Sequence, residues 1–307
     1  MKSAPLVLEI KGNSLDDGPG IRSVVFFKGC PLTCLWCHNP EGKKAAPEIS
    51  FDPDVCVGCD TCMGICPEKA LNRATPGFID RSRCTLCFAC VDDCPSGALD
   101  RVGRSMAVDE ILAQLIRDKP FFKTSGGGVT LSGGEPMLFM DFVSHVLRAL
   151  KSSGVHTLVE TCGHFDFDRF ESVILPFVDT VYIDIKLIDP DAHRLFCGIS
   201  NHTILDNVAR LADAAGKGNV DFLVRTPLVP GITATEDNLS GIVKFLVENR
   251  ISRIQLMAYN PLWLGKNAKL GESHSLSGTD SLATWMPDQE INRCHAIFQN
   301  AGIEVVP

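Results

Sequence analysis

The chain has 307 residues, enough for one large domain or two, with 45% hydrophobic and 21% charged residues, as in ordinary globular proteins. A formal charge of −8 argues against broad nucleic-acid binding, and no apolar run reaches the roughly 18 residues that a membrane span needs. The first residues lack the apolar segment of a secretion signal, so we expect a cytoplasmic protein without nucleic-acid or membrane partners.

The apolar pattern predicts alternating strands and helices with one interruption. A buried strand at 22–27 leads directly into a cysteine cluster, and from 46 to 100 short cysteine-rich turns replace the periodicity. Further strands are predicted at 128–131, 156–160, 180–186, 221–226 and 253–258, and helices at 108–116 (closed by Pro120), 139–151, 206–215 and 237–249. Six strands separated by helices require parallel connections, in either an open doubly wound sheet or a barrel.

Fourteen cysteines could indicate disulfides, but eleven of them fall into three tight clusters with metal-ligand spacing. The first cluster is Cys30, Cys34 and Cys37, in a C-x3-C-x2-C run. Three thiolates can hold a 4Fe–4S cluster and leave one iron open. Because the chain contains complete four-cysteine runs elsewhere, the missing ligand indicates a place for a substrate or cofactor, and we take these three cysteines as catalytic.

The other two clusters lie in the interrupted segment, and each spells C-x2-C-x2-C-x3-C-P. In bacterial two-cluster ferredoxins the fourth cysteine of each run ligates the other cluster. We therefore assign one 4Fe–4S cluster to Cys56, Cys59, Cys62 and Cys94, and another to Cys66, Cys84, Cys87 and Cys90. A zinc ribbon is the alternative, although zinc does not require the repeated Cys-Pro.

The first cysteine run, with Asp17-Gly-Pro-Gly-Ile-Arg22 before it and Cys37-His38-Asn39-Pro40 after it, resembles the activating enzymes of glycyl radical enzymes, in the radical S-adenosylmethionine (SAM) superfamily. The resemblance implies a partial (β/α)6 barrel, open at one side, with an inserted ferredoxin-like domain. We expect barrel residues 1–45 and 104–307 around an insert at 46–103.

The resemblance also implies the chemistry. Three 4Fe–4S clusters are expected, with SAM on the open iron, cleaved reductively to methionine and a 5′-deoxyadenosyl radical. That radical would abstract a hydrogen from a backbone glycine of a partner glycyl radical enzyme. The insert clusters would relay electrons from a low-potential donor such as flavodoxin or ferredoxin, or store electrons, or form a docking surface.

The same resemblance assigns residues to SAM. Gly133-Gly134-Glu135 matches an amino-group site, with a flexible turn as the alternative, and Asp184-Ile185-Lys186 matches a SAM-contacting motif, with a solvent-facing pair as the alternative. Glu160 and Asp184 are also candidates for a monovalent cation. Asn260 stands where many relatives have histidine. The expected SAM contacts are Trp36, Cys37, His38, Gly133, Gly134, Glu135, Glu160, Asp184, Ile185, Lys186, Arg225 and Asn260.

Asp17 and Arg22 are candidates to hold the partner's glycyl loop, although they could instead shape the turn between them. Cys162, Cys197 and Cys294 stand alone and are interpreted as buried structural thiols. Two rival functions remain open on the sequence. One is a radical SAM enzyme that acts on a small molecule, and the other is a ferredoxin-like electron carrier without SAM chemistry.

Overall fold

A computed structural model of the chain describes residues 4–272 and 280–307. The strands are β1 (Leu6–Ser14), β2 (Arg22–Lys28), β3 (Glu48–Phe51), β4 (Leu99–Val102), β5 (Arg104–Ser105), β6 (Gly128–Gly133), β7 (His156–Thr161), β8 (Thr180–Asp184), β9 (Asp221–Leu228), β10 (Arg253–Ala258) and β11 (Glu304–Val306). The α-helices are α1 (Thr61–Ile65), α2 (Ala89–Asp92), α3 (Val108–Leu115), α4 (Lys119–Ser125), α5 (Met140–Ser152), α6 (Phe167–Val173), α7 (Pro190–Cys197), α8 (His202–Gly216), α9 (Glu236–Glu248), α10 (Trp263–Lys269) and α11 (Asp288–Asn300).

Nine strands form one sheet in the order β11-β10-β9-β8-β7-β6-β2-β1-β5. Every pair from β2 to β11 is parallel, whereas β1 runs antiparallel to both of its neighbours. The six predicted strands are β2 and β6 to β10, and they lie side by side. The predicted parallel α/β architecture is therefore confirmed.

Helices cover the parallel strands with their apolar faces, and the strands are therefore buried. In α5 the buried residues Val143, Val146, Leu147 and Leu150 recur at helical spacing, and they pack in the main core with the strand residues. Nearly every residue of β2 and β6 is buried, so these strands are covered on both faces, as the strands of parallel sheets are. No helix in the described ranges is long and apolar enough to cross a membrane.

Two boundaries differ from the sequence prediction. Pro120 does not close a helix: α3 already ends at Leu115, and Pro120 lies in the first turn of α4. A proline costs little there, because the first N–H groups of a helix have no intrahelical partner. Strand β8 ends at Asp184, so Lys186 lies in the loop beyond the strand.

The insert has a small core of its own. Strands β3 and β4 pair antiparallel, and they join α1 and α2 around a second apolar cluster that includes Ile49, Phe78 and Leu99. One buried ion pair fastens this two-stranded sheet to the large sheet: the fully buried Lys28 on β2 donates to Glu48 at 2.8 Å. The insert is thus held at the end of β2 that carries the first cysteine cluster.

Candidate functional site

The cysteine loop that follows β2 is fixed by its backbone. Gly29, at φ +118°, donates to the carbonyl of Gly42 at 2.7 Å, and Cys30 donates to that of Lys43 at 3.0 Å. Only glycine adopts that φ without strain, so Gly29 turns the chain where the strand ends. The three sulfur-bearing side chains of Cys30, Cys34 and Cys37 all line one cavity.

That cavity has a volume of about 440 Å³ and lies at the carboxyl ends of the parallel strands. It is lined both by the loop after β2 and by Met257 on β10, so the sheet curves around it, as a partial barrel does. Ligands commonly bind at this edge of parallel α/β folds. The expected SAM residues in its wall are Trp36, Cys37, His38, Gly133, Gly134, Glu160, Asp184, Lys186 and Arg225.

Gly133 and Gly134 interlock with the cysteine loop. The Gly134 N–H donates to Phe27 at 2.8 Å, and a Cβ on Gly134 would lie 2.3 Å from the carbonyl oxygen of Gly29. The next N–H, of Glu135, donates to that same oxygen at 2.7 Å. These glycines are required by the approach of two backbones, which argues against the flexible-turn alternative.

Glu135 lies beneath the cavity rather than in its wall. Its carboxylate is fully buried and accepts hydrogen bonds from the N–H of Met137 (2.9 Å), the hydroxyl of Thr161 (2.8 Å) and the N–H of Cys162 (2.7 Å). Burial raises the pKa of this carboxyl, against the effect of those hydrogen bonds. The geometry therefore favours an anchoring role over the expected contact with the SAM amino group.

A buried network of four charges forms one side of the cavity. The register of β8 and β9 sets Asp184 beside Arg225, whose Nε donates to Asp184 Oδ1 at 3.1 Å. The same guanidinium contacts Glu160 Oε1 on β7 at 2.5 Å, and Lys186 Nζ contacts Asp184 Oδ2 at 2.7 Å. The solvent-facing alternative for Asp184 and Lys186 is wrong, because their side chains are only 15% and 10% exposed.

The pKa values of Asp184 and Lys186 favour the ionised forms of both side chains. Burial alone would raise the pKa of Asp184, but Lys186 and Arg225 hold it below the usual value. Burial alone would lower the pKa of Lys186, but Asp184 holds it above the usual value. Asp184 and Lys186 thus stay charged and compensate one another inside the cavity wall.

Besides Glu135, two other expected SAM residues are absent from the cavity wall. Ile185 is buried among core residues, and Asn260 is half-buried, with its side-chain oxygen accepting from the N–H of Leu262 at 3.3 Å. Near Asn260, Tyr259 does reach the cavity, and its ring centroid lies 6.2 Å from that of His38. Burial and then the charge of Lys266 lower the pKa of His38.

The two candidate partner residues have different environments. Asp17 lines the cavity, whereas Arg22 is fully buried beneath it. The Arg22 guanidinium donates to Thr130 Oγ1 (2.6 Å), the Val129 carbonyl (2.8 Å) and the Pro19 carbonyl (3.2 Å). The expectation that Arg22 grips a partner loop is not supported, since its donors bind β6 and the Pro19 carbonyl of the Asp17–Arg22 turn.

Sequence reasoning missed several cavity residues. Cys162 was interpreted as a structural thiol; it is buried as expected, but it also lines the cavity and contacts the Cys30 thiol. Cys197 is buried against the Cys34 thiol. The available signal is position in the chain, because most of the missed residues lie at or just beyond the carboxyl ends of strands. They include Asp16, Ser132, Thr161, Cys162, Pro227, Leu228, Val229, Gln255, Met257 and Tyr259.

The insert holds two small cavities, and each is lined by four cysteines. One is formed by Cys56, Cys59, Cys62 and Cys94, and the other by Cys66, Cys84, Cys87 and Cys90. In each set one cysteine comes from the opposite run, which is the crossed pattern of two-cluster ferredoxins. The arrangement thus favours clusters over zinc.

Matches to protein-family models agree with this arrangement of cysteines and strands. A model described as the radical SAM superfamily matches residues 81–240, a 4Fe-4S dicluster domain matches 48–95, and a 4Fe-4S single cluster domain matches 16–62. The chain is 40% identical to the trans-4-hydroxy-L-proline dehydratase activating enzyme of Clostridioides difficile, over 87% of this chain and 88% of that one. The chain belongs to the glycyl radical enzyme activating enzymes of the radical SAM superfamily.

Other relatives of this activating enzyme carry similar names. It is 39% identical to the benzylsuccinate synthase activating enzyme of Thauera aromatica (90% of this chain, 85% of that one). It is 35% identical to the choline trimethylamine-lyase activating enzyme of Oleidesulfovibrio alaskensis (98% and 96%). A radical SAM methyltransferase structure from Sphaerobacter thermophilus shares the fold at a TM-score of 0.56 and 14% identity, over 99% of this chain and 76% of that one.

Proposed function

We propose that this activating enzyme holds a 4Fe–4S cluster on Cys30, Cys34 and Cys37 and binds SAM in the adjoining cavity. The observation that carries the proposal is three thiols on one rigid loop, in the wall of a cavity of about 440 Å³ that also contains buried charges of both signs. Such a volume suits a ligand of SAM's size. When reduced, the cluster would supply the electron that cleaves SAM to methionine and a 5′-deoxyadenosyl radical.

The residues of the chain fit this ligand. SAM carries an ammonium, a carboxylate and a sulfonium, and the wall offers Lys186 and Arg225 to the carboxylate and Glu160 and Asp184 to the cationic groups. Trp36 and Tyr259, both nearly fully buried, supply apolar surface to the same cavity and exclude water from it. Water exclusion strengthens the electrostatic contacts and protects a reactive radical.

We further propose that the hydrogen comes from a backbone glycine of a partner glycyl radical enzyme. The adenosyl carbon takes the hydrogen atom from the glycine Cα, which leaves 5′-deoxyadenosine and one unpaired electron on the partner. Asp17 is the residue in the cavity wall that we assign to the partner loop. Names of the relatives, which are activating enzymes for dehydratases, lyases and synthases, support a protein substrate over a small molecule.

The two four-cysteine cavities of the insert are proposed to hold the second and third 4Fe–4S clusters. Ferredoxin-type clusters have potentials low enough to pass an electron to a SAM-bound cluster. A relay from flavodoxin or ferredoxin explains why the insert is fastened next to the cysteine loop. Because eleven cluster ligands and three further thiols must be protected from oxidation, we place the protein in the cytoplasm. The electron-carrier alternative leaves the three-thiol cavity unexplained.

The proposal is tested by electron paramagnetic resonance (EPR). The reduced, reconstituted enzyme is mixed with SAM and, one at a time, with glycyl radical enzymes of the classes that the relatives activate. A glycyl doublet in at least one mixture is expected, and deuterated glycine in that partner should transfer deuterium to 5′-deoxyadenosine. SAM cleavage that responds to a small metabolite, with no doublet in any mixture, would favour the small-molecule alternative.

A further inference from the structure

Helix α10 contacts both of the cysteine-bearing parts of the chain. Its residues, Trp263–Lys269, follow β10 and span about 10 Å. Trp263 is fully buried and donates to the Tyr259 hydroxyl at 2.6 Å, and Tyr259 lines the cavity beside His38. The start of the helix is therefore fixed against the cavity wall, and two lysines further along it bind the neighbouring segments.

Lys266 binds the segment that follows the third thiol of the cysteine loop. Its ammonium donates to the His38 carbonyl at 2.9 Å, to Asn39 Oδ1 at 3.1 Å and to Glu41 Oε1 at 3.0 Å. An ammonium group has three N–H donors, so all of them are used on this one short segment. Because His38 directly follows Cys37, Lys266 fixes the backbone next to that thiol.

Lys269, one helical turn later, binds the insert instead. Its ammonium contacts Asp52 Oδ2 at 2.5 Å, and Asp52 directly follows β3. The Leu270 carbonyl, at the end of the helix, accepts a hydrogen bond from Arg81 Nη2 of the insert at 3.0 Å. The end of α10 thus holds two separate segments of the insert, one by an ion pair and one by a hydrogen bond.

The backbone beyond α10 also lies against the insert. Gly77, at φ +71°, approaches Gly271 so closely that a Cβ on Gly77 would lie 2.5 Å from the Gly271 Cα. Lys44 joins the same segment to β3, because its ammonium donates to Glu272 at 3.1 Å and to Glu48 at 2.8 Å. Side chains and backbone of the insert therefore converge on the end of one helix.

We propose that α10 sets the position of the insert relative to the cysteine loop, with Lys266 and Lys269 as positioning residues. The two side chains are neighbours on one helix, and neither lines the three-thiol cavity. Each therefore acts through the segment that it binds and not through contact with SAM. The consequence rests on the proposed function: α10 fixes how far an electron travels from the insert to the cysteine loop.

Pulsed EPR on the reduced, reconstituted protein tests this by measuring distances between the clusters. Lys269→Glu sets two carboxylates together at Asp52, so the insert-to-loop distance distribution should widen about twofold from a narrow native one. Adding Asp52→Lys to that variant should restore the native width, since it reverses the ion pair. Lys244→Glu, beside the exposed Glu248, is the matched control. A native width in Lys269→Glu, or no restoration by Asp52→Lys, would overturn the inference.

SAM binding, followed by anaerobic calorimetry, separates the two lysines. Lys266→Gln should bind SAM about tenfold more weakly, because the His38 backbone loses its anchor beside Cys37. Lys269→Glu should keep the native Kd within about twofold, since its partner lies in the insert. Unchanged affinity in Lys266→Gln would overturn its assignment. A native protein with narrow cluster distances that binds no SAM would contradict the proposed function and still support the role of α10.

Discussion

The buried carboxylate of Glu135 accepts a hydrogen bond from the backbone N–H of Cys162 at 2.7 Å. This bond joins the loop after β6 to the end of β7, and Thr161 Oγ1 adds a second bond between the same two segments at 2.8 Å. Both segments line the cavity, whereas Glu135 itself does not. One side chain beneath the cavity therefore sets the distance between two parts of its wall.

Replacing Glu135 should damage the fold before it damages ligand contacts. Glu135→Ala leaves three buried donors without an acceptor, so we expect a loss of roughly 2–3 kcal/mol and a lower thermal midpoint. Glu135→Gln should lose less, because one amide oxygen remains. The exposed Glu171→Ala is the control. If Glu135→Ala keeps its midpoint and yet loses SAM binding in calorimetry, direct contact with SAM is the better explanation.

Acid should loosen the insert from the barrel. Burial alone would raise the pKa of Glu48, but Lys28 and Lys44 hold it below the usual value. Ionised Glu48 therefore stabilises the folded state at pH values above its pKa in the unfolded chain, about 4.3. That stabilisation is lost as the pH falls through the lower pKa that Glu48 has in the folded protein.

Glu48→Gln should thus destabilise the protein at pH 7 by about 3 kcal/mol, because Lys28 is left buried without its carboxylate. It should also weaken the dependence of the free energy of unfolding on pH below pH 7. Denaturation followed from pH 7 to pH 3 checks both effects. Asp100→Asn, which breaks an exposed pair with Arg104, should change neither. If the free energy of unfolding of Glu48→Gln depends on pH as strongly as that of the native protein, other carboxyls control acid unfolding.

Asp17 should matter for the partner and not for SAM. Its carboxylate accepts from the Ser14 hydroxyl at the cavity edge, so Asp17→Asn should fold normally. We expect unchanged SAM affinity and partner-free SAM cleavage, with glycyl radical yield reduced about tenfold or more. EPR spin counting against 5′-deoxyadenosine release separates the two activities. Equal loss of both would place Asp17 at SAM instead.

The relay proposal predicts a dependence on the reductant. Cys59→Ala and Cys87→Ala each remove one ligand from a different four-cysteine cavity. Turnover with reduced flavodoxin or ferredoxin should fall about tenfold or more, while turnover with a strong chemical reductant should fall only a few-fold. Cys294→Ala, a buried thiol outside these cavities, should affect neither. Equal losses with both reductants would indicate a structural role for the insert.

The sequence predicted the central parallel strands because a buried apolar run is a local feature of the chain. Buried apolar runs identified β2 and β6 to β10, and β10 was placed at its observed bounds of Arg253–Ala258. Strand β1 was not predicted, because polar residues such as Glu9 and Lys11 interrupt its apolar pattern. Pro120 was misread because a proline is equally compatible with the end of one helix and with the first turn of the next, where the structure places it.

In the site, too, local patterns were predicted and features that depend on tertiary contacts were not. The ferredoxin pattern predicted the crossed grouping of Cys66 and Cys94, and the two insert cavities are lined by the same sets of cysteines. Side-chain direction was beyond the sequence: only tertiary contacts show that Glu135 and Arg22 point away from the cavity. The pairing of Arg225 with Glu160 depends on strand order, because the two residues are 65 positions apart.

The central claim is that the three-thiol loop performs SAM chemistry, and 5′-deoxyadenosine release tests it most directly. The anaerobically reconstituted, reduced protein is compared with Cys34→Ala, which removes one thiol of the loop, and with Cys294→Ala, which removes a buried thiol elsewhere. The account predicts release from the native protein and Cys294→Ala, and none from Cys34→Ala. No release from fully iron-loaded native protein, or equal release from Cys34→Ala, would contradict it.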